Sequence, residues 1–368
     1  MWFALVFGLL SMSALTILQI PREWFKKTIS LIGIIIYHFI GILSIVLLLW
    51  FHHKMENEII RDIIVDIETF YFVNTLFGLV LSLIRYFGFE IARHFQHRKI
   101  ISILNNKVIF YMSLFVICIV FMFPGIYNSQ NLKNTTYEIT IDKRAEVDNL
   151  NIVGISDLHV GAGAKDKELK QMVDLVNKAN ADIILIAGDI CDSSSSKNDL
   201  SNLTSYLKML ESKYGIYYVE GNHEDQCNYD YISYLKEANV NIINNKVVNV
   251  KGLNIIGRDD SLDEPLSTIL DENNITSDDA TLVLQHRPCK TNELKSLWDV
   301  VLCGHTHGYQ FPFFGLLSPL LIDYMYGKNV VDNTNIIVTS GVSEWGFEVK
   351  YPSQSEIVQI KLNFKKVN

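Results

Sequence analysis

Two histidines stand on either side of a single threonine in the stretch VLCGHTHGYQFP, residues 301–312. The stretch begins with an apolar run that predicts a strand, so His305 and His307 would lie on the turn that follows it. Imidazole nitrogens that converge on one point at a strand end are typical of a metal site. The same residues also fit a polar loop with two exposed histidines, and the pair alone does not separate the two interpretations.

Metal-capable side chains follow five apolar runs in all. Strands are predicted at residues 150–156, 182–187, 216–220, 281–285 and 299–303, with helices between several of them, as at 166–180 and 199–213. The residues that follow the strands are, in chain order, Asp157-Leu158-His159, Gly188-Asp189, Gly221-Asn222-His223-Glu224, His286 and Gly304-His305-Thr306-His307. Every histidine after residue 130 lies in one of these motifs. Because sites in α/β sheets are built at the carboxyl ends of strands, the pattern predicts one shared site.

The candidate ligands are carboxylate and amide oxygens together with imidazole nitrogens, without clustered thiolates. Such mixed sets suit Mn²⁺, Fe or Zn²⁺, and one carboxylate can bridge two ions. Two ions roughly 4 Å apart can hold a phosphate and activate a shared hydroxide, because a metal-bound water can lose its proton near pH ~7. The chemistry that fits this set is therefore hydrolysis with two divalent metal ions and without a protein nucleophile.

The ordered series DLH, GD, GNHE, H and GHTH resembles the calcineurin-like metallophosphoesterase superfamily over about residues 150–363. The GHTHG context and the stretch TSGVSEWGFEVKYPSQSEIVQIKL are similar to its membrane-associated bacterial branch, related to the YkuE type and to UDP-2,3-diacylglucosamine hydrolases. The resemblance implies an α/β metallophosphoesterase domain of two mixed β-sheets, packed face to face between helices. It also implies attack on a phosphate ester by a metal-bridging hydroxide.

The resemblance further assigns roles by position. One metal would be held by Asp157, His159 and His307, the other by Asn222, His286 and His305, and Asp189 would bridge the two. His223 would contact the substrate, stabilise the phosphoryl transition state and protonate the leaving oxygen. Glu224 would orient His223. Asp192, which closely follows the bridging position, is predicted to cap a loop rather than to bind metal.

The chain before residue 130 is apolar in blocks that approach membrane-spanning length. About four transmembrane helices are predicted, at residues 2–20, 28–50, 67–87 and 107–125. A helix needs about 20 apolar residues to cross the hydrocarbon core, and the last two blocks reach that length only with flanking residues. The predicted organisation is a transmembrane region at 1–127, a linker or edge strand at 128–149, and the metallophosphoesterase domain at 150–368.

Charge separates the two parts of the chain and suggests an orientation. Lys and Arg are concentrated in the loops at 21–27 and 85–107, which the positive-inside rule places in the cytoplasm. With four spans the catalytic domain would be extracytoplasmic, and an odd number of spans would reverse this. Residues 131–368 contain 22 Lys and Arg against 33 Asp and Glu, which argues against a nucleic-acid partner.

Substrate class is less well determined by the sequence. The segment at 309–328, YQFPFFGLLSPLLIDYMYGK, is apolar and aromatic. It fits either a core hairpin or an exposed flap that contacts the lipid bilayer, and the flap would favour a lipid or lipid-linked phosphate.

Two other function classes stay open. A sensory or binding domain that has lost catalysis would be expected to lack a ligand, and a transporter would require more polar transmembrane residues.

Overall fold

The computed structural model describes residues 58–260, 268–269, 272–288, 298–310, 323–344 and 346–365. It contains two compact units, Met1–Pro124 and Gly125–Asn368. The spans predicted at 2–20 and 28–50 lie outside the described residues, and so does the middle of the apolar segment, residues 311–322.

The described part of the first unit is helical. The helices are α1 Glu58–His94, α2 Arg98–Asn105 and α3 Lys107–Gln130, the last of which continues into the second unit. Among the described residues, one stretch, Val108–Gln130, is long and apolar enough to cross a membrane. The span predicted at 67–87 lies within the longer helix α1. The described residues thus support one candidate span, and the predicted multi-span organisation is not shown.

Helix α3 also corrects a predicted boundary. The sequence predicts that the apolar helix stops at Pro124-Gly125, whereas α3 runs through Pro124 to Gln130. A proline inside a helix removes one backbone hydrogen bond and tends to kink the helix. The helix can nevertheless continue beyond it.

The first sheet of the second unit has six strands. In spatial order they are β1 Lys133–Ile141, β12 Glu356–Phe364, β2 Asn149–Ile155, β3 Ile183–Ala187, β4 Ile216–Val219 and β5 Val240–Ile242. The β12–β2 pair is antiparallel and the other pairs are parallel. The segment predicted as a linker or edge strand, 128–149, therefore contains the edge strand β1.

The second sheet also has six strands and is mixed. In spatial order they are β10 Gly327–Val331, β11 Thr334–Val338, β9 Val300–Cys303, β8 Ala280–Leu284, β7 Leu253–Gly257 and β6 Lys246–Val250. The outer pairs are antiparallel, and the four central strands run parallel to one another. The two mixed sheets implied by the resemblance are thus confirmed.

Successive side chains of a strand point to opposite faces of the sheet, and this alternation decides how the layers pack. In β2, Ile152 contributes to a buried cluster that also contains Leu282 and Leu302 of the second sheet, so the two sheets pack face to face. Its neighbour Val153 points to the opposite face, where the cluster includes Leu169 of a helix. The helices on that side are α4 Asp166–Ala179, α5 Lys197–Leu207 and α6 Tyr231–Glu237. Burial on both faces explains why these strands are continuous apolar runs.

A buried carboxylate at the start of β12 ties the edge of the domain to its centre. Glu356 accepts hydrogen bonds from the Tyr326 hydroxyl at 3.0 Å and from the Ser340 N–H at 3.2 Å. It also contacts the Thr135 hydroxyl and lies 3.6 Å from the Lys133 ammonium, both on β1. Glu356 therefore joins β1 to the loop that follows β11.

Candidate metal centre

Five strand ends from the two sheets meet in one region. Asp157 and His159 follow β2, Asp189 follows β3, Asn222 and His223 follow β4, His286 follows β8, and His305 and His307 follow β9. Four of these residues, Asp157, His159, Asp189 and His286, are at most 1% exposed. The strands that the sequence predicts therefore deliver the predicted residues to a common buried place.

The three residues predicted for the first metal lie together. Asp157, His159 and His307 each offer a ligand atom, and these atoms lie within 4.8 Å of one another. The His307 Nε2 atom is 3.6 Å from Asp157 Oδ1, and the rings of His159 and His307 stack with centroids 5.3 Å apart. One carboxylate and two imidazoles form a set that suits a divalent transition metal.

A second cluster of the same kind lies beside the first. Asp189, His286 and His305 also place one ligand atom each within 4.8 Å of one another. The Asp189 Oδ2 atom is 3.0 Å from His286 Nε2 and 3.6 Å from His159 Nε2, which belongs to the first cluster. Asp189 therefore contacts both clusters, as a bridging carboxylate would.

Unpaired polar atoms in the site test whether cations fit it. Among the described residues, the buried Oδ1 of Asn222 has no hydrogen-bond partner, and Nε2 of His159 lies 3.6 Å from the Asp189 carboxylate without forming a hydrogen bond. Burying such acceptors without a donor is unfavourable, and a bound cation would satisfy them. The donor set of oxygens and imidazole nitrogens fits divalent metal ions.

Backbone carbonyls orient two of the imidazoles. The Nδ1 atom of His286 is 2.7 Å from the carbonyl oxygen of Ala187, and that of His307 is 3.2 Å from the carbonyl oxygen of Ser343. In the neutral ring these contacts place the proton on Nδ1. The lone pair is then on Nε2, which faces the carboxylates, and this is the arrangement that metal-binding histidines require.

Burial and neighbouring charges shift the pKa values of the central groups. Burial alone would lower the pKa of His286, but the Asp189 carboxylate raises it to about 9. Burial would raise the pKa of Asp189, yet the neighbouring His286 holds it well below its usual range. For His305, burial and the charge of His286 lower the pKa to about 3. A metal ion at this position must replace the His286 proton, so its affinity is expected to fall as the pH is lowered.

Close backbone approach explains two of the glycines in the motifs. A Cβ atom on Gly304 would lie 2.5 Å from Asp157 Oδ2 and would also overlap Ser156. A Cβ atom on Gly221 would overlap the Asp189 carboxylate. The carboxylates occupy the space that a side chain would need, so only glycine fits at these two positions.

His223 and Glu224 lie on the loop after β4. The His223 N–H donates to Asp189 Oδ1 at 2.9 Å, and its ring centroid is 4.9 Å from that of His159. Glu224 is buried, and its carboxylate accepts hydrogen bonds from the N–H groups of Ile190 at 2.7 Å and Gly221 at 3.0 Å. Glu224 thus joins the loop of Asp189 to the loop of His223. Its predicted role, to orient His223, would be exerted through the backbone.

Asp192 has a second contact that the sequence interpretation overlooked. As predicted, it caps its loop, accepting hydrogen bonds from the N–H of Ser194 at 2.7 Å and from its hydroxyl at 2.5 Å. Its other oxygen lies 3.3 Å from Nδ1 of His159. Together, His159, Asp192 and His223 form a third group with metal-ligand atoms within 4.8 Å of one another. The sequence signal for this contact was the second aspartate of GDICD, residues 188–192. With one oxygen on the loop cap, its other oxygen is free to contact a histidine.

Comparisons with known proteins agree with this geometry. Residues 150–309, a range that includes every predicted site residue, match the family described as calcineurin-like phosphoesterase. An uncharacterized metallophosphoesterase of Helicobacter pylori is 30% identical over 297 residues, which cover 77% of this chain and 78% of that protein. One of Campylobacter jejuni is 32% identical over 276 residues, 71% of each chain. A Bos taurus protein named transmembrane protein with metallophosphoesterase domain is 28% identical over 254 residues, 62% of this chain and 56% of that protein.

We predict that Asp192 supports metal binding through His159. Asp192→Asn should weaken metal affinity by about 10–100-fold, the usual effect of removing the carboxylate behind a metal-bound histidine. The dissociation constant for Mn²⁺, measured by calorimetric titration of the metal-free protein, checks this. Ser194→Ala is the matched control, because it removes one hydrogen bond of the loop cap and leaves the Asp192 carboxylate in place. Equal losses in both variants would show that Asp192 acts only on the loop.

Proposed function

This chain belongs to the calcineurin-like phosphoesterase family, and on that premise we propose that it is a membrane-anchored hydrolase that uses two divalent metal ions to cleave a phosphate ester. The observation that carries the proposal is the position of Asp189. Its carboxylate contacts His286 of one buried cluster and His159 of the other. A shared carboxylate between two ligand sets supports a dinuclear site over two independent metal sites.

The proposed ligands are those that the strand ends bring together. They are Asp157, His159 and His307 for one ion, Asn222, His286 and His305 for the other, and Asp189 between them. When bound, Mn²⁺, Fe or Zn²⁺ would stabilise the charge of the phosphate and lower the pKa of the attacking water. The protein would hold the ligand atoms in place and exclude bulk water, since most of them are buried.

We propose His223 as the group that contacts the reacting phosphate. It is only partly buried, whereas the ligands His159 and His286 are fully buried, so it lies on the accessible side of the site. Its backbone is held by Asp189, which fixes the ring relative to the clusters. From there the imidazole would stabilise the transition state and give a proton to the leaving oxygen.

We further propose that the N-terminal helices anchor the enzyme in a membrane in several spans, with the phosphoesterase domain outside the cytoplasm. Helix α3 exposes large apolar side chains along much of its length, among them Val108, Phe115, Val120 and Phe123, each more than half exposed. A continuous apolar surface of this kind is unfavourable in water and is stable against lipid tails. Two vertebrate relatives are named as transmembrane proteins.

A membrane anchor favours a lipid or lipid-linked phosphate as the substrate. Attachment to the bilayer keeps the site near lipid head groups and raises their effective concentration. This agrees with the likeness of the GHTHG context to the branch related to the YkuE type and to UDP-2,3-diacylglucosamine hydrolases.

One prediction of the proposed function separates catalysis from metal binding. His223→Ala should keep both metals and lose roughly 10²–10⁴-fold in turnover of p-nitrophenyl phosphate, the usual contribution of a positioned acid. Asp189→Asn should instead lower the metal content itself, because the bridging charge is removed. Elemental analysis and turnover are measured on the same samples. Loss of metal in His223→Ala would make His223 a ligand, and two full equivalents of metal in Asp189→Asn would contradict the bridging role.

A second prediction concerns orientation in the membrane. Lys208, which directly follows α5 and whose side chain is 45% exposed, is replaced by Cys, and so is exposed Lys99 in the predicted cytoplasmic loop. A membrane-impermeant maleimide is added to spheroplasts of a bacterial host, and labelling is compared with that of the unsubstituted chain. Lys208→Cys should be labelled in intact spheroplasts, and Lys99→Cys only after permeabilisation. The reverse pattern would place the domain in the cytoplasm.

The third prediction concerns the substrate. The intact chain is placed in nanodiscs that contain phosphatidic acid and is assayed separately with soluble glycerol 3-phosphate. Both carry a phosphate monoester on glycerol, so they differ in acyl chains and in location. We expect a higher kcat/KM for the lipid, because the anchor brings the site to it. Equal or faster hydrolysis of the soluble ester would rule out a lipid preference.

A further inference from the structure

An ion pair that the motifs do not include lies beside the second cluster. The Arg287 Nη2 atom is 2.9 Å from Asp260 Oδ2. Arg287 directly follows His286 at the end of β8, and Asp260 follows the neighbouring strand β7. Because β7 and β8 are parallel, they end at the same edge of the sheet. The N–H of Arg258 donates to the carbonyl of Leu284 at 3.0 Å and keeps the two strand ends together.

The surroundings of Asp260 place the pair near the candidate metal centre. Its carboxylate interacts electrostatically with His286 and Asp189 of the second cluster. It also interacts with Asp225, on the loop that carries His223. The pair is therefore within electrostatic range of the second cluster and of the loop that carries the proposed acid.

The two partners differ strongly in exposure. The Asp260 side chain is 12% exposed, and the Arg287 side chain is 44% exposed. The carboxylate is thus largely buried, while the guanidinium reaches solvent. The chain also contains an ordinary surface pair, Lys208 and Glu237, whose nitrogen and oxygen are 2.8 Å apart and whose side chains are 45% and 63% exposed. Such pairs contribute little to stability, because both side chains are largely exposed to solvent.

We infer that Arg287 is a substrate-binding residue that contacts a phosphate oxygen of the ester, and that Asp260 is the positioning residue that holds it there. A guanidinium presents five N–H donors in a fixed plane, so contact with Asp260 through one nitrogen leaves donors for an oxyanion. An arginine whose carboxylate partner fixes its direction loses less entropy when it binds a phosphate.

The inference rests on the proposed phosphoesterase function and specifies its substrate class as phosphate monoesters. A monoester phosphate carries close to two negative charges at neutral pH, because its second pKa is about 6, whereas a diester carries one. A cation beside the site therefore stabilises a bound monoester more than a bound diester. The wild-type chain should prefer the monoester, and this preference should depend on Arg287.

The experiment uses the full chain in detergent with Mn²⁺. The variants are Arg287→Ala, Arg287→Lys, Asp260→Asn and the double variant Arg287→Ala with Asp260→Asn, with Lys208→Ala as the control for loss of an exposed cation. The measurements are kcat and KM for p-nitrophenyl phosphate and for bis(p-nitrophenyl) phosphate. The dissociation constant of inorganic phosphate and the metal content are measured on the same samples.

Arg287→Ala should lower kcat/KM for the monoester by about 10–100-fold, the usual effect of losing a charge-assisted hydrogen bond, mainly through KM. The loss on the diester should be smaller, metal content should not change, and phosphate affinity should fall with the monoester activity. Arg287→Lys should recover part of the loss, because it keeps the charge. Asp260→Asn should cause a smaller loss, and the double variant should match Arg287→Ala, because Asp260 acts through Arg287.

Several outcomes would overturn the inference. Unchanged kinetics in Arg287→Ala, as in Lys208→Ala, would make the pair an ordinary surface pair. Equal losses on both esters would remove the monoester preference, and loss of metal would assign the pair to the ligand shell. If the wild-type chain hydrolysed neither ester, the proposed function would fail. Phosphate binding would still decide whether Arg287 binds the anion.

Discussion

Two carboxylates, those of Asp157 and Asp189, are buried where the two sheets meet, and the rest of the site is arranged around their charge. An isolated buried carboxylate is strongly unfavourable unless it is hydrogen-bonded and paired with a positive charge. The backbone supplies part of the compensation, with the N–H of His305 directed at Asp157 and the N–H of His223 at Asp189. Imidazole nitrogens that lie 3.0–3.6 Å from the carboxylate oxygens supply the rest of the compensation. The same need for positive charge makes the site receptive to metal ions.

This constraint also explains the backbone around the site. Each carboxylate fills the space next to a glycine at another strand end. Asp157 lies against Gly304, which follows β9 of the second sheet, and Asp189 lies against Gly221, which follows the neighbouring strand β4 of the same sheet. Glu224 then joins the loops after β3 and β4, and Glu356 joins β1 to the loop after β11. These ties lie behind the ligands rather than among them. They fix loop positions and so limit how far the ligand atoms can separate, which the proposed dinuclear site would require.

Exposure increases from the centre of the site toward its rim. The fully buried ligands give way to the partly exposed His223 and then to Arg287, whose side chain is 44% exposed. In the proposed function, Arg287 and His223 would offset the charge of the buried carboxylates, which alone would repel a phosphate.

The sequence by itself determined which residues meet and on which elements, because the strands are continuous apolar runs and each motif directly follows its strand. The strands at 150–156, 182–187 and 216–220 occur as β2, β3 and β4 within about two residues of the predicted bounds.

Contacts between distant segments could not be predicted in this way. The approach of Asp192 to His159 and the pairing of Arg287 with Asp260 depend on which strand lies next to which. The partly exposed strands β1 and β10 carry only a weak apolar pattern, and the pairing of β1 with β12 joins residues from opposite ends of the domain. Only the tertiary structure decided these features, because apolar periodicity records the burial of each segment and not the identity of its neighbour.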